Sequence, residues 1–128
     1  MQHSSESYTT VTINQAVVRA TLADTDAKHE QGLSGHPSLA PDEGMLFIFD
    51  HADLYGFWMK DMNFPLDIIW IANNQVVGFS ENLAPDPSPE RKIYYPPEPV
   101  DRVLEVRSGF VKEQNINVGD KVQIEGGL

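Results

Sequence analysis

The sequence has no cysteine, which excludes disulfides, thiolate nucleophiles, iron–sulfur ligation and thiolate zinc sites together, and leaves the compartment open. Basic residues are scarce: 9 Lys and Arg against 19 Asp and Glu give a formal charge of −10. A field of that sign repels phosphate backbones, so nucleic acid is not expected as a partner, and the acidity itself is read as a solvated surface. No run approaches the ~20 apolar residues of a spanning helix, so no membrane insertion by this chain is expected. The start, MQHSSESYTT, lacks a basic-then-apolar signal pattern, a statement about this chain that leaves room for a removed signal or lipoprotein anchor. His3, His29, His36 and His51 show no ligand spacing, and Asp50-His51-Ala52-Asp53 lacks the glycine and distal glutamate of a calcium loop, so neither a metal nor a cofactor is expected. The glycines form no phosphate-cradling loop, and Gly126-Gly127 belongs to the tail. Ser34-Gly35-His36 is not a G-x-S-x-G nucleophile turn.

What remains is an ordinary globular composition, 41% apolar and 9% aromatic over 128 residues, enough for one core without staples. Residues 1–7 read as a polar lead-in and residues 8–128 as a single β-rich domain. Val- and Thr-rich segments at Tyr8 to Ile13 and Ala16 to Leu22 predict a hairpin around Asn14-Gln15. Asp24-Thr25-Asp26 predicts the cap of a short helix over Ala27 to Gln31, ended by Gly32. The string LSGHPSLAPDE predicts an ordered loop anchored by Leu33 and Leu39. Met45 to Phe49 predicts a buried strand followed by a turn at Asp50 to Asp53, and Phe57 to Met59 a further short strand. Ile68 to Ile71 and Val76 to Phe79 predict a second hairpin across Asn73-Asn74. Six prolines between Leu83 and Pro99 deny donors to a central strand and predict a long irregular loop. Val103 to Arg107, a helix from Ser108 to about Asn115, and a strand from Lys121 to Glu125 complete the chain. The fold class expected is mostly β, a barrel-like or sandwich-like sheet with two short flanking helices and no doubly wound alternation.

The stretch GFWMKDMNFPLDIIWI, residues 56–71, sets charges among the largest apolar side chains. Asp67 lies between Phe-Pro-Leu and Ile-Ile-Trp-Ile, so its carboxylate is expected to be buried and to need a partner. Lys60 is the expected partner if the chain folds back at Pro65, with freed backbone N–H groups as further donors. Glu105, in Val103-Leu104-Glu105-Val106, reads first as an outward glutamate paired with Arg107, since alternation permits it. The alternative places it in a cleft with Asp67, as a carboxylate pair for acid–base work. Trp58 and Trp70 are expected in the core, and Tyr94 and Tyr95, among prolines, in solvent.

Gly32-Leu33, Asp42-Glu43-Gly44-Met45-Leu46-Phe47-Ile48-Phe49, Phe57-Trp58-Met59-Lys60, Pro65-Leu66-Asp67, Val103-Leu104-Glu105 and Gly119-Asp120 occur in an order that resembles the bacterial and archaeal domain-of-unknown-function family 192, from about Val17 to Ile124. The resemblance implies a compact β-rich domain without established activity, often behind a signal or membrane anchor, hence an extracytoplasmic place. Its recurring polar positions fall on Lys60, Asp67 and Glu105. His36 stands where many members carry arginine, Ser34 where many have methionine, and Asp61-Met62 where Asn-Thr is common.

The first functional expectation is a non-catalytic binding or accessory domain of the cell envelope. Its cleft is bordered by Trp58, Tyr94 and Tyr95, and Lys60, Asp67 and Glu105 orient a glycan, peptide or other small-molecule ligand. The second is a hydrolase on an envelope polymer using Asp67 and Glu105 as catalytic carboxyls, with Lys60 beside them. The third is a structural or protein-interaction domain.

Overall fold

Local sequence chemistry sets the first turns of the computed structural model, which describes residues 7–125. Strands β1 (Tyr8–Ile13) and β2 (Ala16–Ala23) form the expected hairpin, with Asn14 at φ 58° in the tight turn. Residues 1–6 of the expected lead-in, and Gly126-Gly127, lie outside the described residues. Ser7, counted with that lead-in, already accepts from Leu22 N at 2.8 Å, so the ladder starts one residue early. Helix α1 (Asp26–Gln31) is capped by Thr25, whose hydroxyl oxygen accepts from Lys28 N, and Gly32 ends it at φ 53°. A residue with a Cβ is strained there, and the chain turns sharply inward.

Strand β3 (Glu43–Asp53) is longer than its apolar run, and the Asp50-His51-Ala52-Asp53 segment read as a turn is its solvent-facing end. A register shift between Ile48 and Asp53 lets it stay paired while it bends. The next strands are β4 (Phe57–Trp58), β5 (Leu66–Ala72) and β6 (Gln75–Leu83). Asn73 and Asn74, both at positive φ, make the β5–β6 turn. The proline-rich loop is less irregular than expected: β7 (Ile93–Tyr94) pairs with β4 inside it, and Asp86 N donates to Met59 O. Strand β8 (Val100–Arg107), helix α2 (Phe110–Glu113) and β9 (Val122–Glu125) follow.

The main sheet runs β6-β5-β8-β3-β2-β1-β9, antiparallel except for β2 beside β3, which α1 connects. It curls: Gln75 bridges Lys121, and Val122 N donates to Asn74 O, tying the outer strands together at one rim. The architecture is thus mostly β and barrel-like with two short helices. Both faces are covered. One carries Val11, Val18, Leu22, Leu46, Ile69 and Leu104 and is closed by Phe110 and Val111 of α2. The other carries Met45, Phe47, Ile68, Trp70 and Val103 under Leu33, Met59 and Met62. Strand β5 is buried throughout because it serves both faces, which is why its sequence reads as a continuous apolar run broken only by Asp67.

At Gly44 there is no room for a side chain between β3 and its neighbours: a Cβ there would stand 2.6 Å from the Glu105 carbonyl oxygen and 3.0 Å from a Val18 methyl. Backbone cannot give way as a side-chain tip can. Gly44→Ala is expected to lower stability by about 1–3 kcal/mol, read as a fall in the urea midpoint; an unchanged midpoint would show that the strands separate freely.

Candidate functional site

Asp67 is fully buried on the face that α2 covers. Its Oδ1 accepts from Asn82 N at 2.8 Å, at the end of β6, and its Oδ2 from Val111 N at 2.9 Å, in the first turn of α2. Gly109 at the helix start has no side chain to offer, so a carboxylate from 44 residues away caps it. The expected partner, Lys60, is elsewhere. Its neighbours Met59 and Met62 pack into the opposite layer, and among the described residues its ammonium forms no ion pair. Backbone amides therefore do what the lysine was expected to do, because the entry to β5 turns Asp67 away from the Lys60 bend.

Glu105 departs from both of its readings. In the β5–β8 ladder it stands opposite Ile68, whereas Asp67 stands opposite Val106. Side chains alternate between faces, so the two carboxyls lie on opposite sides of the sheet and form no pair. Nor does Arg107 reach Glu105: its guanidinium makes two bonds to Glu113, at 2.9 and 2.8 Å, and holds that carboxyl below its usual range. Glu105 is only 4% exposed, and its Oε1 has no hydrogen-bond partner. Burial pushes the carboxyl up to about 8, so the protonated form predominates at neutral pH.

That carboxyl ends a narrow cleft of about 30 Å³ walled by Gly32, Phe47, Phe57, Trp58 and Met62. Its shape follows from the local chain. A Cβ on Gly32 would lie 3.3 Å from Phe47 Cζ and 3.8 Å from Glu105 Oε1, so glycine leaves the opening above the acid. Phe57 meets Phe47 and Trp70 edge-on, with centroids 4.9 and 5.5 Å apart, which fixes the wall. His29 lays its ring 4.4 Å from Phe49 and sets Nε2 2.8 Å from Ile48 O, pinning α1 to β3. A larger hollow of about 310 Å³, bordered by Thr21, Lys28, His36 and Met45, adjoins on the other side of Gly32.

Trp70 is in the core as expected, but Trp58 is not: it stands at the mouth of the cleft, 42% exposed, with Lys60 Nζ 5.4 Å and Arg91 Cζ 5.7 Å from its ring centroid. Tyr94 pairs with Phe57 across the small ladder and is half-buried rather than in solvent, while Tyr95 is exposed and packs by Gly56, away from the cleft. Of the sequence candidates, Glu105, Trp58 and Lys60 come together; Asp67, Tyr94 and Tyr95 do not join them. Gly32 and Arg91 were missed. Gly32 was read as a helix stop and as part of the family pattern but not as part of a site, and nothing around Arg91 in the sequence marks it. Among the described residues no group of three His, Asp or Glu side chains gathers as a metal ion requires.

The model of a family described as DUF192, Uncharacterized ACR, matches residues 9–124. No curated protein matches. A crystal structure of a protein of unknown function from Novosphingobium aromaticivorans is similar at TM-score 0.82 and 31% identity, over 92% of this chain and 84% of that one. Another, from Sinorhizobium meliloti and provisionally described as a transcription regulator, is similar at TM-score 0.84 and 30% identity, over 100% of this chain and 99% of that one.

Proposed function

The chain belongs to this uncharacterised DUF192 family, and we propose that it is a non-catalytic ligand-binding domain of the cell envelope that takes a sugar ring against Trp58 and hydrogen-bonds it through Glu105. The observation that carries this is the unpartnered Oε1 of a buried carboxyl at the inner end of an aromatic cleft. A buried polar atom without a partner costs about 1–3 kcal/mol, which a ligand group reaching it recovers. Protonated, Glu105 donates to a sugar oxygen; its carbonyl oxygen accepts from a hydroxyl. The inner cleft is narrow, so a small polar group such as a hydroxyl reaches Glu105 and a bulky side chain does not. A sugar presents several hydroxyls around one ring, which favours it over a peptide. The flat exposed face of Trp58 suits a pyranose ring.

The hydrolase reading needs two carboxyls on one face, and Asp67 is on the other. The transcription-regulator label of the Sinorhizobium protein is not carried over, because a formal charge of −10 opposes contact with a phosphate backbone.

The test is NMR titration of the chain with short N-acetylhexosamine oligomers. Shifts are expected at Gly32, Trp58 and Glu105, and Trp58→Ala is expected to weaken binding by tenfold or more, about 1.4 kcal/mol. If the oligomers move no resonance at the cleft, or Trp58→Ala binds as tightly as wild type, the proposal is wrong.

A further inference from the structure

Five of the nine basic side chains, Lys60, Arg91, Lys92, Lys112 and Lys121, form no ion pair among the described residues, whereas Arg19, Lys28, Arg102 and Arg107 each have a carboxylate within 4.0 Å. Two of the five, Lys60 and Arg91, flank the β4–β7 ladder at the Trp58 side of the Glu105 cleft, while Lys92 lies by Tyr94 instead. Lys60 and Arg91 reach over the Trp58 ring, and Lys92 Nζ is 4.9 Å from the Tyr94 centroid. Acids are close in sequence yet do not neutralise them. Asp86 turns its oxygens onto the Ser88 and Lys92 amides at 3.0 and 3.1 Å, and Asp61 and Glu90 make no ion pair with these cations.

Arg91 carries a second sign of an absent partner. Its Nε is buried and bonded to nothing, and a guanidinium N–H left without an acceptor is as costly as the orphaned Glu105 oxygen. One corner of the molecule therefore holds an inner oxygen and an outer guanidinium nitrogen without partners, with an exposed indole between them. In a chain of such negative charge, cations left uncompensated around an aromatic face are placed to receive a negative group.

Resting on the sugar-binding reading above, we infer that the ligand is an acidic sugar, a uronate whose ring lies on Trp58 and whose carboxylate is held by Arg91 and Lys60. The planar fork of Arg91 matches a carboxylate, and Lys60 adds a mobile point charge. Glu105 lies deeper and meets an uncharged edge of the same ring, so one end of the site reads a charge and the other a neutral group. An acidic sugar turned the other way would bury its carboxylate among apolar walls, away from both cations, and be disfavoured.

The experiment compares a glucuronate-containing oligosaccharide with the same oligosaccharide after reduction of its carboxyls to alcohols, by calorimetry and NMR. The acidic form is expected to bind at least tenfold tighter. Its advantage should shrink severalfold as salt rises from about 0.02 to about 0.5 M, fall in Arg91→Gln, and disappear in Arg91→Gln combined with Lys60→Gln. Arg91→Lys, which keeps the charge and loses the fork, is expected to fall between. Equal binding of the two forms at Trp58 overturns this inference and leaves the sugar site standing. Binding of neither form at Trp58 overturns both. An acidic-form advantage that survives Arg91→Gln together with Lys60→Gln places the charge contact elsewhere and overturns the inference as well.

Discussion

Raising the pH from about 5 to about 9 is expected to weaken the fold by an amount that Glu105→Gln abolishes. The unfolded chain carries Glu105 as an ordinary carboxyl near 4.5, and the folded chain holds it protonated to about 8. Between those values the native state retains a proton that the unfolded state has released, so stability falls as pH rises and levels off above about 8. At roughly 1.4 kcal/mol per pH unit, the stretch from 4.5 to about 8 corresponds to on the order of 4–5 kcal/mol. That is a large part of the 5–15 kcal/mol typical of a domain. Glutamine has nearly the same shape and does not ionise, so subtracting its profile from that of the wild type removes every other titrating group. Urea unfolding at a series of pH values supplies both curves. Parallel curves would mean that Glu105 titrates like a surface acid and that the cleft is wet. A sugar that hydrogen-bonds the protonated carboxyl should in addition bind less tightly above about pH 8.

Asp67→Ala is expected to cost on the order of 2–5 kcal/mol, a fall in Tm of roughly 10–20 °C, because it strands the buried Val111 N and the part-buried Asn82 N and empties a fully buried site. Asp67→Asn should recover only part of this. Its amide has one acceptor oxygen for two donors, and its NH2 group would point at an N–H. Lys60→Ala, by contrast, should change stability by less than about 0.5 kcal/mol, the usual range for a surface substitution that breaks no ion pair or buried hydrogen bond. The pair of variants separates two physical accounts, a lysine pin and an amide cradle, that an aspartate in apolar surroundings equally invites. Hydrogen exchange at Val111 and Asn82 checks the mechanism directly: in Asp67→Ala these amides lose protection before the rest of the sheet. Full protection there, or a Tm equal to that of wild type, would refute the cradle.

The fold was legible wherever one residue or a short period decides the local structure. Asn14 and Asn73-Asn74 mark turns that need positive φ, Thr25 and Gly32 bracket α1, and the apolar runs at Met45 and Ile68 are central strands. Burial of Asp67 was legible too, since its flanking residues admit no other place for it. Its partners were not, because they are main-chain groups at Asn82 and Val111, and an amide N–H has no sequence signature. The two readings of Glu105 failed for a related reason. Alternation within Val103–Arg107 tells which residues share a face, but both faces of this sheet are buried, so sharing a face with Arg107 did not bring Glu105 to water. The phase between β5 and β8, which sets Asp67 and Glu105 back to back, is a property of pairing across more than thirty residues and is not written in either strand.

The first and last strands described here are neighbours: β1 pairs with β9, and the Thr9 hydroxyl donates to Glu125 O across 116 residues of chain. On the ribosome, at about 5–20 residues per second, β1 emerges many seconds before β9 does. Through that interval the hairpin of β1 and β2 waits with one unsatisfied side, as a nascent chain open to any passing strand. Thr9, Thr10 and Thr12 place hydroxyl-bearing, β-branched residues along that side, which keeps it extended yet less sticky than a run of valines would be.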